Sequence, residues 1–562
     1  MSTIDYLVLI ITLAGIVAYG VFKSRSSRDI EGYFLGNRSM PWFLVLLSIM
    51  GTQASAITFL SGPGQAYSDG MRFVQYYFGL PLAMIVISIW LLPVFSRLNV
   101  VTAYEYLEQR FDRRVRTLTS LLFLVSRGLS TGVSIYAPSL ILSTLFGWNI
   151  YLTNAVMGGI LIIYTVSGGA KAVAYTQQIQ LFIIFGGLIL AGMLLVRMLP
   201  ADLGFVDALH VGGSLGKMNI ITTGFESGSF DWSDKYNIWS GIIGGFFLAL
   251  SYFGTDQSQV GRYLTARSLS ESRMGLLMNG FVKVPMQFLI LILGVLVFSF
   301  YQFTSAPVFF NEAVLEKAKQ GKHADSLRLL EQEYERLSEH KTALALDFSK
   351  ERQAEVSGAQ SETLRELRIA EDSSRVVRAD VKKLIRSSGM GLDANDNNYV
   401  FLRFVIDYLP QGLVGLLIAI IFLAAWGSIA AALNSLASST MVDLHVPYKG
   451  RSNEYRWSKM YTLLWGLFCV LVACFASEIG NSLIEAVNIL GSLFYGTLLG
   501  IFVTALVLKK VNAQAVLVGI VVSQAAVIAV FCFSEISFLW YNVIGCLVVM
   551  GVAWVVKAST RD

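Results

Sequence analysis

Ser48-Ile-Met-Gly-Thr-Gln-Ala-Ser-Ala56, followed closely by Ser61-Gly-Pro-Gly64, sets small and polar residues midway along an apolar run from 41 to 66. The run is long enough to cross a bilayer, which takes about 20 mostly apolar residues as a helix. Its middle is poorly suited to a regular one. In lipid an unpaired backbone group costs several kcal/mol, so non-helical backbone at that depth survives only where it lines a cavity. The run therefore predicts a broken helix beside a site, with close helix packing through small residues as the competing reading.

The rest of the chain agrees that the bilayer is the solvent. Of 562 residues, 55% are hydrophobic and only 14% charged, and the mean hydropathy is +0.60, which does not suit a water-facing surface. Spans are expected near 5–22, 41–66, 74–95, 118–145, 152–167, 173–198, 237–257, 277–302, 410–440, 458–478, 483–505, 513–533 and 538–557, here spans 1 to 13. The net charge of +5 is dispersed over short loops, which excludes a nucleic-acid-binding face. Cys469, Cys474, Cys532 and Cys546 lie in apolar stretches without C-x-x-C spacing, so neither zinc nor a disulfide framework is indicated. The first apolar segment lacks a basic leader and a small-residue cleavage site and is read as a spanning helix that is retained.

Lys and Arg set the direction of insertion. They gather after span 1 (Lys23, Arg25, Arg28, Arg38), span 3 (Arg97, Arg110, Arg113, Arg114, Arg116), span 7 (Arg262, Arg267, Arg273), span 9 (Lys449, Arg451, Arg456) and span 11 (Lys509, Lys510). All these loops fall on one side, whereas the 199–236 loop carries Asp202, Asp207, Glu226, Asp231 and Asp234. The expectation is an N-terminus outside and a C-terminus in the cytoplasm. Residues 311–399 then face outside. Leu327, Leu330, Tyr334 and Leu337 make one apolar stripe at helical spacing, and Leu364, Leu367, Val381 and Leu384 a second, which predicts a helical hairpin dispensable for the spanning core and a candidate surface for a protein partner. The alternative is a solvated spacer. A cysteine at Ser357 labelled only from the cytoplasm would refute the orientation.

Span 7 has Gly241, Gly244 and Gly245 midway. Spans 2 and 7 each open a set of five, and interruptions at matching positions of two halves point to an inverted-repeat carrier with a site near the midplane. The fold expected is an all-α integral membrane protein. Residues 1–40 hold the first span and its loop, 41–198 the first repeat, 199–236 an outer loop, 237–310 with 400–505 the second repeat, 311–399 the insertion, and 506–562 two peripheral spans.

Several stretches resemble one family. Gly32-Tyr-Phe-Leu-Gly-Asn-Arg-Ser-Met40, Ser55-Ala56 with Gly62 and Tyr67-Ser-Asp-Gly70, and Thr102-Ala-Tyr-Glu-Tyr-Leu-Glu-Gln-Arg-Phe111 come first. Ile135-Tyr-Ala-Pro138, Tyr164-Thr-Val-Ser-Gly-Gly169, Gln257-Ser-Gln-Val-Gly-Arg-Tyr263, Leu433-Asn-Ser435 and Phe494-Tyr-Gly-Thr497 follow in order. Together they resemble the sodium:solute symporters, most closely the branch carrying iodide, monocarboxylates or vitamins. The resemblance implies a leucine-transporter-like 5+5 inverted repeat of spans 2–6 and 7–11. It also implies Na⁺ as coupling ion, held by Gly51 and Ala54 on span 2 and by Ala424, Gly427 and Ser428 on span 9.

The chain departs from that family at three places. Adjacent hydroxyls usual on span 9 read Gly427-Ser428, an acidic residue usual at the start of span 6 is Gln177, and hydroxyls of a second sodium site are Ala430 and Ala431. Fewer oxygen ligands and one less negative charge weaken attraction for a cation in a low dielectric. The expectation is one sodium per cycle with Ser428 as its hydroxyl ligand, so that Ser428→Ala weakens sodium dependence and Gly427→Ser strengthens it.

Arg127 lies nine residues into span 4 as drawn, about 14 Å of rise, and an ionisable residue at that depth is a functional candidate by default. Buried, it suits a carboxylate, since guanidinium pairs bidentately with one. The alternative is snorkelling to the headgroups. Gln53, Thr58, Gln75, Tyr76 and Tyr77 are further candidates for a solute cavity, with Tyr495 of span 11 as a gate or contact. No nucleophile–base set, phosphate loop or metal cluster is present, and the histidines are scattered, so enzymatic chemistry has nothing to stand on. Three functions compete: sodium-coupled import of a small organic solute, an anion among the candidates, across the plasma membrane, a sodium-independent carrier (proton-coupled, exchanger or uniporter), and a ligand sensor or scaffold. Uptake with and without a sodium gradient separates them.

Overall fold

A computed structural model describes residues 1–23, 34–226, 228–353, 362–390, 392–450, 453–476 and 483–559. Arg25, Arg28, Gly32, Tyr33, Ser357 and Arg451 lie outside the described residues. Helices occupy all thirteen expected stretches, and among the described residues eight are individually long and apolar enough to cross a membrane. Large apolar side chains such as Leu7, Ile89, Ile163, Phe182, Leu471 and Phe533 point outward on several of them, as a lipid-facing surface requires. The centre is span 9, Leu413–Ser439, buried on every side because Ala, Gly and Ser let its neighbours approach.

Span 2 breaks where its composition says it should. Trp42–Gln53 ends at Ala54 and Ser55, both non-helical, and Ala56–Asp69 resumes the crossing. Span 7 also breaks, but lower than its glycines suggest. Ser240–Gly244 is a π-helical turn continuous with Gly245–Thr255, and the interruption falls at the extended Asp256, before the short helix Gln257–Tyr263. The glycines instead permit contact: a Cβ on Gly241 would lie 2.2 Å from the Gln75 carbonyl oxygen, and one on Gly245 2.6 Å from that of Tyr76.

Spans 5 and 6 form one hydrogen-bonded helix, Ile150–Arg197, rather than two separated by a loop. It cannot be straight. Tyr164 and Thr176 are twelve residues apart, about 18 Å of rise, yet their hydroxyls are 2.9 Å apart. The arms Ile150–Val166 and Val173–Arg197 therefore fold toward each other and cross separately.

The insertion is the expected hairpin, Ala324–Gln353 against Glu362–Ser387, with Leu327, Tyr334, Leu364, Leu367 and Val381 buried between the arms and the core. It is not a detachable ornament. Asp396 is fully buried, pairs with Arg378 at 2.6 Å and Lys382 at 2.6 Å, and accepts from the Phe310 amide at 2.9 Å. Although burial opposes ionisation, Arg378 and Lys382 hold its carboxyl below the usual carboxylate range. The next two residues fasten span 2: Ser68 donates to Asn397 at 3.0 Å, and Ser61 to Asn398 at 2.7 Å. Gly64 allows this, since a Cβ there would stand 1.9 Å from the Asn397 carbonyl oxygen. The expectation of a dispensable segment is thereby corrected for its C-terminal end.

Removing one partner of a buried ion pair costs about 3–5 kcal/mol. Asp396→Ala is accordingly expected to lower the melting temperature and expose 393–399 to protease. Asp372→Ala, in an exposed pair with Arg375, should do neither.

Candidate functional site

Beside the interruption of span 2 lies a cavity bounded also by Gly245–Thr255 of span 7, with the mixed apolar and polar lining of a small-solute site. Thr52, Gln53, Ser55 and Thr58 line it from span 2, and Tyr76 and Tyr77 from the 3₁₀ segment Gly70–Tyr77. Arg127, Tyr252, Lys283, Ser428, Asn488 and Tyr495 close the remaining sides. Thr58 Oγ1 donates to the Gln53 carbonyl at 3.3 Å, and Gln53 Nε2 donates to Asn279 Oδ1 at 3.3 Å. Tyr76 Oη reaches across to Asn488 Oδ1 at 3.1 Å, joining span 3 to span 11.

Gln75 does not belong to this lining. Its Nε2 donates to the Tyr236 carbonyl at 2.9 Å and to Thr222 Oγ1 at 3.0 Å, and its Oε1 accepts from the Thr222 amide at 3.2 Å. The 3₁₀ geometry turns it into the 199–236 loop while its two neighbours face the cavity.

Arg127 faces the interior and lines the cavity instead of reaching outward. Span 4 begins at Arg113, so Arg127 lies about 21 Å along it, buried and 3.8 Å from Asp256 Oδ2. Asp256 is fully buried at the span 7 interruption. It also accepts from Tyr495 Oη at 3.0 Å and from the Ser258 amide at 2.8 Å, which caps the short helix. Tyr495 thus contacts the cavity while tying span 11 to the break in span 7. Lys283 has no such partner: it is buried, forms no ion pair among the described residues, and lies 5.5 Å from the Tyr77 ring centroid. It is a lone charge in an apolar run, and the rule that singled out Arg127 applies equally to it. No carboxylate lines the cavity among the described residues.

The five residues implied for sodium converge on spans 2 and 9, with Gln177 wedged among them. Its Nε2 donates to the Gly427 carbonyl at 3.1 Å and its Oε1 accepts from Ser48 at 3.1 Å. A Cβ on Gly51 would meet Gln177 at 2.8 Å, so that glycine makes room for the side chain. Ser428 borders the cavity and its hydroxyl donates to the carbonyls of Ala424 and Ala425 at 3.0 and 3.1 Å. Ala54 sits at the break itself.

The model of the sodium:solute symporter family matches residues 33–329 and 380–523. The unmatched interval holds most of the two hairpin arms. The chain is 25% identical, over its whole length and 94% of the relative, to the sodium/sialic acid symporter NanT of Aliivibrio fischeri. It is 26% identical over 92% of its length, and 70% of the relative, to the sodium-coupled monocarboxylate transporter 1 of Xenopus laevis. The human sodium/iodide cotransporter is 31% identical over 49% of the chain and 41% of its own length. A solved structure described as the substrate-bound outward-open state of a Na⁺-coupled sialic acid symporter superposes with a TM-score of 0.76. It shares 23% identity and covers 100% of this chain and 99% of that one.

Proposed function

Because the chain belongs to the sodium:solute symporter family, we propose that it imports a small anionic organic solute with sodium across the plasma membrane, N-terminus outside and C-terminus in the cytoplasm. Sodium-coupled import of a small solute follows from the family and its relatives. The sign of the solute's charge rests on one observation: a cavity lined by Lys283 and Arg127 and by no described carboxylate. Asp256 already balances Arg127, so Lys283 is the ammonium left to meet an anion. A carboxylate between Lys283 and the hydroxyls of Ser55 and Thr58 would be held at one end, with the tyrosines 76 and 77 packing its apolar body. Sialic acid, monocarboxylates and iodide, named for the relatives, are all anions at neutral pH; glucose, named for another relative, is not. Uptake of these four into proteoliposomes, driven by sodium and then by choline, is the test. Sodium-driven uptake of an anion is expected, and uptake of glucose alone overturns the reading.

Sodium itself travels between span 2 and span 9, at Gly51 and Ala54 on one side and Ala424, Gly427 and Ser428 on the other. Carbonyl and hydroxyl oxygens suit a hard ion, and Ser428 is the hydroxyl present. Ser428→Ala is expected to raise the half-saturating sodium concentration about tenfold, the effect of losing roughly 1.4 kcal/mol. Gly427→Ser does not offer the gain that the residue pattern implies. Its Cβ would fall 2.7 Å from Gln180 Oε1 and 3.2 Å from Gln177 Cγ, so sodium dependence should worsen unless Gln177 is shortened as well. A lower half-saturating sodium concentration for Gly427→Ser alone would show that this packing gives way.

A further inference from the structure

Past the span 7 interruption lies a cation that the cavity does not use. Arg262, in Gln257–Tyr263, is 2% exposed, yet its Nε and Nη1 meet no acceptor and no carboxylate pairs with it among the described residues. Arg127, a second cation, is the charge that bears on it. Ser258 Oγ, Gln259 Oε1 and Tyr263 Oη of the same short helix are also buried without partners. This helix packs against Trp42–Gln53 and Leu413–Ser439, the two segments that frame the sodium position. Just beyond it, Thr265 accepts from the Met40 amide at 3.1 Å at the foot of span 2. Arg262 therefore stands between the interruption and the end of the helices that the proposed orientation puts at the cytoplasmic face.

A guanidinium buried without a counter-charge is costly, and three neighbouring groups without partners compound the cost. An arginine serving only the packing would have acceptors, and one bound to a lipid phosphate would be exposed. A carrier whose site opens alternately to either side keeps one half of its route shut at any time. A polar lining that is dry and unmatched in the shut half acquires water and solute when that half opens.

We infer that Arg262, with the polar edge of Gln257–Tyr263, forms a second anion-binding station on the cytoplasmic half of the route, where a carboxylate or comparable monoanion pauses after leaving the cavity. The inference rests on the anionic-solute reading for what passes, while its test needs no solute. Cysteine is placed at Ser258 and, separately, at Gln259 in the full chain. Each is treated from the cytoplasmic side of vesicles, in sodium and in choline, with anionic methanethiosulfonate ethylsulfonate or its cationic trimethylammonium counterpart. Modification is read by mass on the peptide carrying the new thiol, so the four native cysteines do not intrude. Both positions are expected to react, with an anionic-over-cationic preference, relative to a free thiol, that falls about tenfold on adding Arg262→Gln and persists in Arg262→Lys. Absence of modification at both positions in both salts overturns the station and leaves Arg262 structural. Modification with a preference indifferent to Arg262→Gln overturns it as well. Uptake of glucose alone would defeat the anionic solute without altering this reagent preference, so the two failures are distinguishable.

Discussion

Lys283→Gln should raise the half-saturating concentration of a carboxylate solute at least tenfold while changing that of a neutral analogue by less than twofold. The ammonium is buried, faces the cavity and forms no ion pair among the described residues, so its field is neither screened by solvent nor spent on a protein carboxylate. A unit charge about 5 Å from another at an effective dielectric near 20 is worth about 3 kcal/mol, and 1.4 kcal/mol is a factor of ten. The same change removes an unpaired buried charge, so the melting temperature in detergent should hold or rise. A large loss of melting temperature would mark Lys283 as a structural residue instead. Equal loss for the charged and neutral solutes would remove the anion from the mechanism.

The second large effect is expected at the Arg127–Asp256 pair. Asp256→Ala leaves the guanidinium buried without its counter-charge, takes away the acceptor of Tyr495 Oη, and uncaps Gln257–Tyr263. Breaking a buried pair from one side costs about 3–5 kcal/mol, and loss of an N-cap adds about 1 kcal/mol. The variant should express poorly and melt early. Arg127→Gln with Asp256→Asn removes both charges while retaining side-chain hydrogen-bonding capacity, so the double variant should recover most of the melting temperature of the parent. Anion uptake should stay low in it. If Asp256→Ala and the double variant melt alike, the pair is not what Asp256 contributes.

The interrupted span 2 was legible because small and polar residues in the middle of an apolar run are a local signal. The hairpin arms were legible for the same reason: a stripe at three- and four-residue spacing needs no knowledge of its partner. Arg127 stood out as a charge in an apolar run. Lys283 carried the same mark and was missed. Asp256 was masked because a polar residue at the end of an apolar run looks like the start of a loop. Gln75 failed for a geometric reason, since successive residues of a 3₁₀ turn are rotated by about a third of a turn, which leaves Tyr76 and Tyr77 on the cavity and Gln75 on Thr222 and Tyr236.

What the sequence by itself determined is the solvent of this protein, the places of its long helices, the break in span 2 and the hairpin of its insertion. Hydropathy, chain length and helical period are properties of contiguous residues, and they act before any long-range contact forms. Tertiary structure alone decided which polar groups meet. Gln177 reaches Gly427 across 250 residues of chain, Asn398 seizes Ser61 across 337, and Asp256 claims Arg127. These pairings depend on how each helix is rotated and how far glycines let backbones approach. Rotation about a helix axis is set by packing against neighbours, which no single stretch of sequence contains.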